Sequence, residues 1–282
     1  MEQNLQQLKK RIKASNNIAK IAKAMEMISA SKIHKTQDYV DKHNPYSKKI
    51  RNIVQRIITD KGLHSKKMEQ FLKERDGLRL VYIISPDKGL TGGLIVNLLK
   101  TAHEYLKNSD YIVTVGKKAL VEASKRGYNV LASFKMSTKF PNYDDIYPMI
   151  DIAKKFYIAG EVAKISLIYT EFKNMFIQEP VVEEIFPIKM RKKFKDTGID
   201  YLFEPSPLEV LKDLLPFYFE VEFYSAVMNA YASEQAARMT AMRNAKDNAE
   251  DLCASLTNIY NKSRQEKITN ELLDLANGQQ EI

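Results

Sequence analysis

The 282-residue sequence is poor in the residues that most often carry chemistry or covalent cross-links. It has a single cysteine, Cys253, so a disulfide within the chain is impossible. The four histidines, His34, His43, His64 and His103, share no metal-ligand spacing with one another or with Cys253, which argues against the common zinc patterns. No stretch of about twenty apolar residues exists to span a bilayer, so we expect membrane association only through partners or the surface.

The start of the chain lacks the apolar run of a secretory signal, and we expect neither a signal peptide nor an organellar presequence. The net charge of +9 is compatible with a nucleic acid, an anionic lipid or an acidic protein surface as partner. No zinc spacing or aromatic stacking sequence accompanies the charge, which favours a solvated helix face over nucleic-acid binding. The basic residues of this face recur through the first part of the chain: Lys9, Lys10, Arg11, Lys13, Lys20, Lys23, Lys32, Lys35, Lys48, Lys49, Arg51 and Arg56.

Glycine is absent from residues 4–59, and apolar side chains recur there at steps of three and four. Steps of this kind form a seam along one face of a helix. The pattern predicts a long N-terminal helix that ends before a hinge at residues 60–62. The predicted seam residues are Leu5, Leu8, Ile12, Ile18, Ile21, Met25 and Ile28.

The middle of the chain alternates between strand and helix patterns. Apolar runs predict strands at 78–85, 111–115, 129–134 and 163–170, and helical patterns at 94–106, 117–125 and 147–159 lie between them. Such alternation indicates a parallel, doubly wound sheet. The segment 175–185 predicts a final antiparallel strand.

A second long helix begins at the sequence SPLE, residues 206–209. Ser206 is a typical N-cap, Pro207 suits the first helical position, and Gly278 suits the residue that ends a helix. About seventy residues at ~1.5 Å each would make roughly 100 Å of helix, more than a globular core can cover. We therefore expect it to pair antiparallel with the N-terminal helix; a compact helical bundle is the alternative. Its predicted seam residues are Ala245, Ala249, Leu252, Leu256 and Ile259.

A glycine-rich turn, SPDKGLTGG at residues 85–93, lies between the first strand and the next helix. Turns at this place often bind phosphate. This one lacks both the Gly-Lys-Ser/Thr ending of a P-loop and the spacing of a dinucleotide fingerprint. Its residues are compatible with a nucleotide site or with a tight turn that lets helix and strand pack closely, and the tight turn is the stronger interpretation.

Together with this turn, both ends of the chain resemble the gamma subunit of F-type ATP synthases. The terminal sequences that carry the resemblance are LKKRIK at 8–13, KAMEMISASK at 23–32, ASEQAARMTAM at 232–242 and YNKSRQ at 260–265. The resemblance implies α/β plus coiled coil: an antiparallel coiled coil of N- and C-terminal helices with an inserted Rossmann-like, doubly wound α/β domain. The expected segments are a shaft helix at 1–59, the α/β domain at 60–205 and a second shaft helix at 206–282.

The resemblance implies a central-stalk rotor that is not an enzyme by itself and has no cofactor. The expected partners are three alpha and three beta subunits, the epsilon subunit and the c-ring of the membrane sector, with no nucleic acid. The expected location is the cytoplasmic face of the bacterial plasma membrane, as a peripheral part of the complex.

The resemblance also carries residue roles. Arg264, Gln265, Thr269 and Met25 match positions that contact the beta subunit in the family. Two residues of the turn are further candidates for contact with the stator ring, Asp87 and Lys88. The residues of the expected bearing tip are Leu272, Leu273, Leu275 and Ala276.

Three positions depart from the family pattern. Gln279 stands where alanine is usual, Ala22 where threonine is common and Thr91 where cysteine is common. Two other functions stay open on the residues alone. One is a free-standing nucleotide-binding enzyme that uses the glycine-rich turn, and the other is a coiled-coil adaptor that binds nucleic acid or membrane through its basic helix.

Overall fold

The computed structural model describes residues 2–59, 71–72, 74–136, 139–188 and 203–278. The hinge predicted at residues 60–62 lies outside this part of the chain. The chain divides into two compact units. The first comprises Met1–Ala30 with Arg238–Ile282, and the second comprises Ser31–Ala237. We call them the helix-pair unit and the sheet unit.

The secondary structure agrees closely with the sequence-based expectation. The segments with an apolar run of strand length form strands, and the segments with helical periodicity form helices. The elements are α1 (Glu2–Thr59), β1 (Arg79–Ile84), α2 (Leu94–Tyr105), β2 (Tyr111–Val115), α3 (Lys117–Lys125), β3 (Asn129–Phe134), α4 (Tyr143–Ile158), β4 (Lys164–Phe172), β5 (Gln178–Phe186) and α5 (Pro207–Gly278).

The five strands form one sheet in the order β3-β2-β1-β4-β5. Strands β1 to β4 are parallel, and β5 pairs antiparallel with β4. The predicted parallel sheet with a final antiparallel strand is therefore confirmed. Since β1 is central, its side chains need cover on both faces, which explains the continuous apolar run that marked it in the sequence.

Each face of the sheet has its own core. Val81 and Ile83 of β1 pack with Leu98 of α2 and Ala119 of α3 on one face. Leu80, Tyr82 and Ile84 belong to the larger core on the other face, which also contains residues of α1, α4 and α5. In that core the Tyr82 ring meets the Phe223 ring edge-on at 5.1 Å between centroids. Helices on both faces confirm the doubly wound architecture.

The start of α5 has the predicted cap. Ser206 Oγ accepts a hydrogen bond from the backbone N–H of Glu209 at 3.3 Å, and Pro207 is the first helical residue. The cap satisfies one of the amides that a helix start leaves without an intrahelical partner.

The helix-pair unit contains an antiparallel pair formed by α1 and α5. Ser15 Oγ donates to the carbonyl of Ala249 at 2.7 Å, and Arg243 Nε donates to Glu26 at 2.8 Å. Small side chains occupy much of the seam, and small residues let two helix axes approach closely. The buried seam residues include Leu8, Ser15, Ala19, Ala22 and Ser29 on α1 and Met242, Ala249 and Leu256 on α5.

The predicted seam is wrong at several large aliphatic residues. Ile18, Ile21 and Ile28 are exposed on α1, as are Leu252 and Ile259 on α5. The helices instead meet through neighbouring positions, because a 3-4 spacing also runs through the small residues. We call these five exposed aliphatic residues the outer aliphatic face.

Candidate functional site

The outer aliphatic face is the most unusual surface of the helix-pair unit. Ile18, Ile21 and Ile28 are 55%, 63% and 55% exposed, and Leu252 is 54% exposed. At 3.6 residues per turn the three isoleucines share one side of α1, so they form a stripe. Exposed apolar groups that cluster in this way mark interaction surfaces more often than isolated ones do.

The last described turns of α5 combine polar and apolar exposed side chains. Arg264 and Ile268 are one turn apart, and Gln265 and Thr269 are also one turn apart, so the four share a broad face. All four are exposed. Thr269 Oγ1 donates to the carbonyl of Gln265 at 2.9 Å, which turns the hydroxyl back onto the helix. The guanidinium of Arg264 and the amide of Gln265 are thus polar groups on an exposed face of α5.

The residues of the expected bearing tip come next along α5. Leu272 and Leu273 are 61% and 54% exposed. Leu275 and Ala276 belong to α5, but their side chains lie outside the described residues, as does Gln279 as a whole. The part of the tip that the structure describes is therefore an apolar surface in contact with water.

Met25 lies at the edge of the seam. Its side chain is half-buried, between the buried residues Ala22 and Ser29 along α1. Its neighbour Glu26 binds Arg243 across the pair. Met25 therefore packs at the seam and still presents part of its side chain to the outside.

The glycine-rich turn braces the start of α3. Asp87 Oδ1 accepts from the backbone N–H of Lys117 at 2.7 Å and of Met136 at 3.3 Å. The Pro86 carbonyl accepts from the N–H of Lys118 at 3.3 Å, and Ser85 Oγ accepts from the N–H of Ala119 at 2.9 Å. The first three amides of α3, which could otherwise bind an anion, are thus bonded within the chain.

Gly116 makes this close approach possible. Its φ of 97° is in the left-handed region, and a Cβ added there would lie 1.8 Å from the Ser85 carbonyl oxygen. Only glycine fits both the conformation and the space. Lys88 is exposed beside this bracing, whereas Asp87 is committed to it.

Sequence reasoning missed a charged cluster inside the sheet unit. Arg51 on α1 makes a two-pronged ion pair with Glu222 on α5 and a second contact of 3.4 Å with Glu183 on β5. Tyr169 on β4 donates to Glu183 at 2.9 Å. The Glu222 side chain is 1% exposed and that of Arg51 24%, so this basic residue is not part of a solvated face. We call these four residues the Arg51 cluster.

The pKa values in the cluster reflect these contacts. Burial alone lowers the pKa of Arg51, but its bond to Glu222 and the charges of Glu222 and Glu183 raise it overall. Burial, together with the charge of Glu183 and the bond to it, raises the pKa of Tyr169. One signal in the sequence could have indicated the cluster: Glu222 lies, with Glu220, in the otherwise apolar and aromatic segment 217–224. A charge within such a run needs a partner.

Comparison with known proteins identifies the family. A family model described as ATP synthase matches residues 4–281. The chain is 37% identical over 284 residues to the ATP synthase gamma chain of Dehalococcoides mccartyi, covering 98% of each protein. It is 32% identical over 279 residues to that of Roseiflexus castenholzii, covering 96% of each. The chain belongs to the ATP synthase gamma family.

Solved structures share the gamma fold. A chain from the OSCP/F1/c-ring structure of Euglena gracilis mitochondrial ATP synthase superposes with a TM-score of 0.68 at 19% identity, covering 98% of this chain and 93% of that one. A chain from the rotor structure of the same synthase gives a TM-score of 0.65 at 18% identity and covers 95% and 100%. The fold that these chains share includes both the helix pair and the inserted sheet.

Two departures from the gamma pattern have a clear location. Ala22 is 3% exposed in the seam, and Thr91 is 2% exposed beside the start of α2. Both side chains face inward, so these departures change internal packing rather than an exposed surface of this gamma-family chain.

In its described residues, none of the helices has an apolar window long enough to cross a membrane.

Proposed function

We propose that the chain is the central-stalk rotor subunit of an F-type ATP synthase. In this role it couples ion flow through the c-ring to conformational change at catalytic sites on the beta subunits and is not an enzyme by itself. One observation carries the proposal: a gamma-family chain keeps small residues inside its helix pair and leaves large aliphatic residues outside it. Such a pair is suited to work inside a surrounding partner.

The proposed mechanism is differential binding. A ring of three alpha and three beta subunits surrounds the helix pair, and each beta subunit meets a different side of it. The isoleucine stripe of α1 gives the pair unlike sides. A side that binds one catalytic-site conformation more tightly than another shifts nucleotide affinity at that site, and only this difference can perform work.

The end of α5 supplies the proposed contacts with the ring. Arg264 is exposed and its guanidinium can form a forked, charge-assisted bond to a carboxylate of a beta-subunit loop. Gln265 and Thr269 share that face, and Met25 on α1 meets the acidic loop. The proposed apolar bearing consists of Leu272, Leu273, Leu275 and Ala276.

The sheet unit is proposed to bind the epsilon subunit and the c-ring. Of the two turn residues expected to touch the stator ring, Lys88 is the stronger candidate, because Asp87 is bonded within the chain. Residues 1–59 and 206–282 form the proposed shaft helices and 60–205 the inserted domain. Bacterial relatives support a location on the cytoplasmic face of the plasma membrane, held there by partners.

Reconstitution tests the proposal. The purified chain should hydrolyse no ATP, and addition to matching alpha and beta subunits should produce a complex with ATPase activity. Ile21→Asp, on the isoleucine stripe, should weaken assembly, because it places a charge where apolar contact is proposed. Asn16→Asp, at an exposed position on another side of α1, is the matched control. Well-folded components that never assemble would count against the rotor function.

A further inference from the structure

The Arg51 cluster joins elements that are far apart in sequence. Arg51 belongs to α1, Glu222 to α5, and Glu183 and Tyr169 to the paired strands β5 and β4. Arg51 and Glu222 are 171 residues apart, and Arg51 and Glu183 are 132 apart. The Arg51 guanidinium therefore links α1, on which it lies, to both α5 and the sheet.

Stability alone does not explain this cluster. The Glu222 side chain is 1% exposed and so is removed from water, whereas that of Arg51 is 24% exposed and lines a cavity shared with the polar residues Ser47 and Asn229. Removing charges from water costs free energy that a buried ion pair often fails to recover, and apolar replacements of similar volume are often equally stable. A retained ion pair in such a place points to a need for defined geometry.

The two long helices carry the chain between the units. The unit boundaries fall at 30/31 within α1 and at 237/238 within α5. Twist applied to the sheet unit must be transferred to these helices before it can travel along them. Apolar contacts are non-directional, so they resist rotation of a helix about its axis only through the fit of the packed side chains. A forked bond between guanidinium and carboxylate holds both groups in one orientation and resists such rotation.

We propose that Arg51 is the positioning residue that fixes the rotational setting of α1 and α5 against the sheet, so that torque delivered to the sheet reaches the helix pair. This inference rests on the proposed rotor function. Glu222 and Glu183 are the two anchors, and Tyr169 orients Glu183.

Torsional stiffness in the assembled complex tests the inference. The alpha–beta ring is fixed to a surface, and a gold nanorod is attached to the sheet unit through Lys125→Cys in a Cys253→Ser background. Lys125 is exposed on α3. The measured quantity is the angular variance of the nanorod while the complex pauses at low ATP concentration.

The test variant is Arg51→Met with Glu222→Leu, which replaces the fork with an apolar pair and leaves Glu183 bonded to Tyr169. We expect a melting temperature close to that of the parent and an angular variance about twofold larger. The control is Lys155→Met with Asp151→Leu, an exposed pair within α4 that should leave the variance unchanged. If Arg51 only stabilises the fold, the double variant should keep the angular variance of the parent, because the apolar pair keeps the melting temperature.

A second variant covers the case in which the double replacement does not assemble. Glu183→Gln keeps the Arg51–Glu222 fork and weakens only the anchor on β5, so the variance should rise by a smaller factor. Unchanged variance in an assembled variant overturns the inference. Failure of the parent itself to assemble would count against the rotor function instead.

Discussion

The two units of this chain differ in the side chains that they bury. The sheet unit encloses large aromatic residues such as Tyr82, Phe219 and Phe223. The helix-pair unit encloses Ser15 and Ala19, together with other small residues, and leaves its isoleucines in water. The sheet unit is thus built on a core of large side chains, whereas the helix pair is closely packed through small ones and exposes large aliphatic residues on its outer aliphatic face. The difference favours a partner for that face.

The largest expected effect tests the tight packing of the sheet unit. Gly116→Ala should destabilise the chain by about 5 kcal/mol or prevent folding, because its Cβ would meet the Ser85 carbonyl. Gly160→Ala is the matched control, since Gly160 also has a positive φ of 76° but nothing within 4 Å of an added Cβ. The control should cost only about 1–2 kcal/mol. Urea unfolding of both variants makes the comparison, and equal losses would contradict this explanation of Gly116.

The next effect separates the two sides of α1. Ala22→Leu should destabilise the isolated chain by about 1–3 kcal/mol, because the seam has no room for the larger side chain. Ile21→Ala should leave the isolated chain nearly unchanged, because Ile21 is 63% exposed, and should lower the activity of the assembled complex. Thermal unfolding and reconstituted ATPase activity are the two measurements. The comparison between the faces fails if Ile21→Ala destabilises the chain as much as Ala22→Leu does.

A smaller effect is expected at the end of α5. Arg264→Ala should reduce assembly or turnover of the complex by an amount equivalent to about 1.5–2 kcal/mol, the lower part of the range for one hydrogen bond to a charged group. The isolated chain should keep its melting temperature, since Arg264 is exposed. Asn270→Ala, on another side of the same helix, is the control. Wild-type behaviour of the Arg264 variant would remove this residue from the proposed contact with the beta subunit.

The smallest effect distinguishes the two residues of the turn. Asp87→Ala should destabilise the chain by about 1 kcal/mol, because Lys117 and Met136 lose a hydrogen-bond acceptor. Lys88→Ala should not change stability, because Lys88 is exposed. Urea unfolding of the isolated chain decides between bracing and surface roles. Equal stability of both variants would mean that the turn does not depend on Asp87.

Local signals explain why the sheet unit was predictable. The continuous apolar run of β1 and the Ser206 cap are properties of adjacent residues, and both appear in the structure where the sequence places them. The Rossmann-like order of strands and helices follows from the same signals. The close approach of Gly116 to Ser85, by contrast, depends on the packed sheet and not on adjacent residues.

The seam and the Arg51 cluster were harder to predict for a physical reason. Two sets of residues on α1 have 3-4 spacing, one of large aliphatic side chains and one of small side chains. Pattern alone favours the large set, but the helices pair through the small set around Ala19 and Ala22. Which of the two sets forms the seam is decided by the packing of the whole helix pair, which the spacing along α1 does not contain. The ion pair of Arg51 likewise depends on a residue 171 positions away, which no local window includes.

The outer aliphatic face has a consequence for the temperature dependence of partner binding. A partner that covers Ile18, Ile21 and Leu252 removes apolar surface from water, so its binding should show a negative change in heat capacity. Near room temperature this driving force is largely entropic and weakens on cooling. We therefore expect the complex to loosen in the cold.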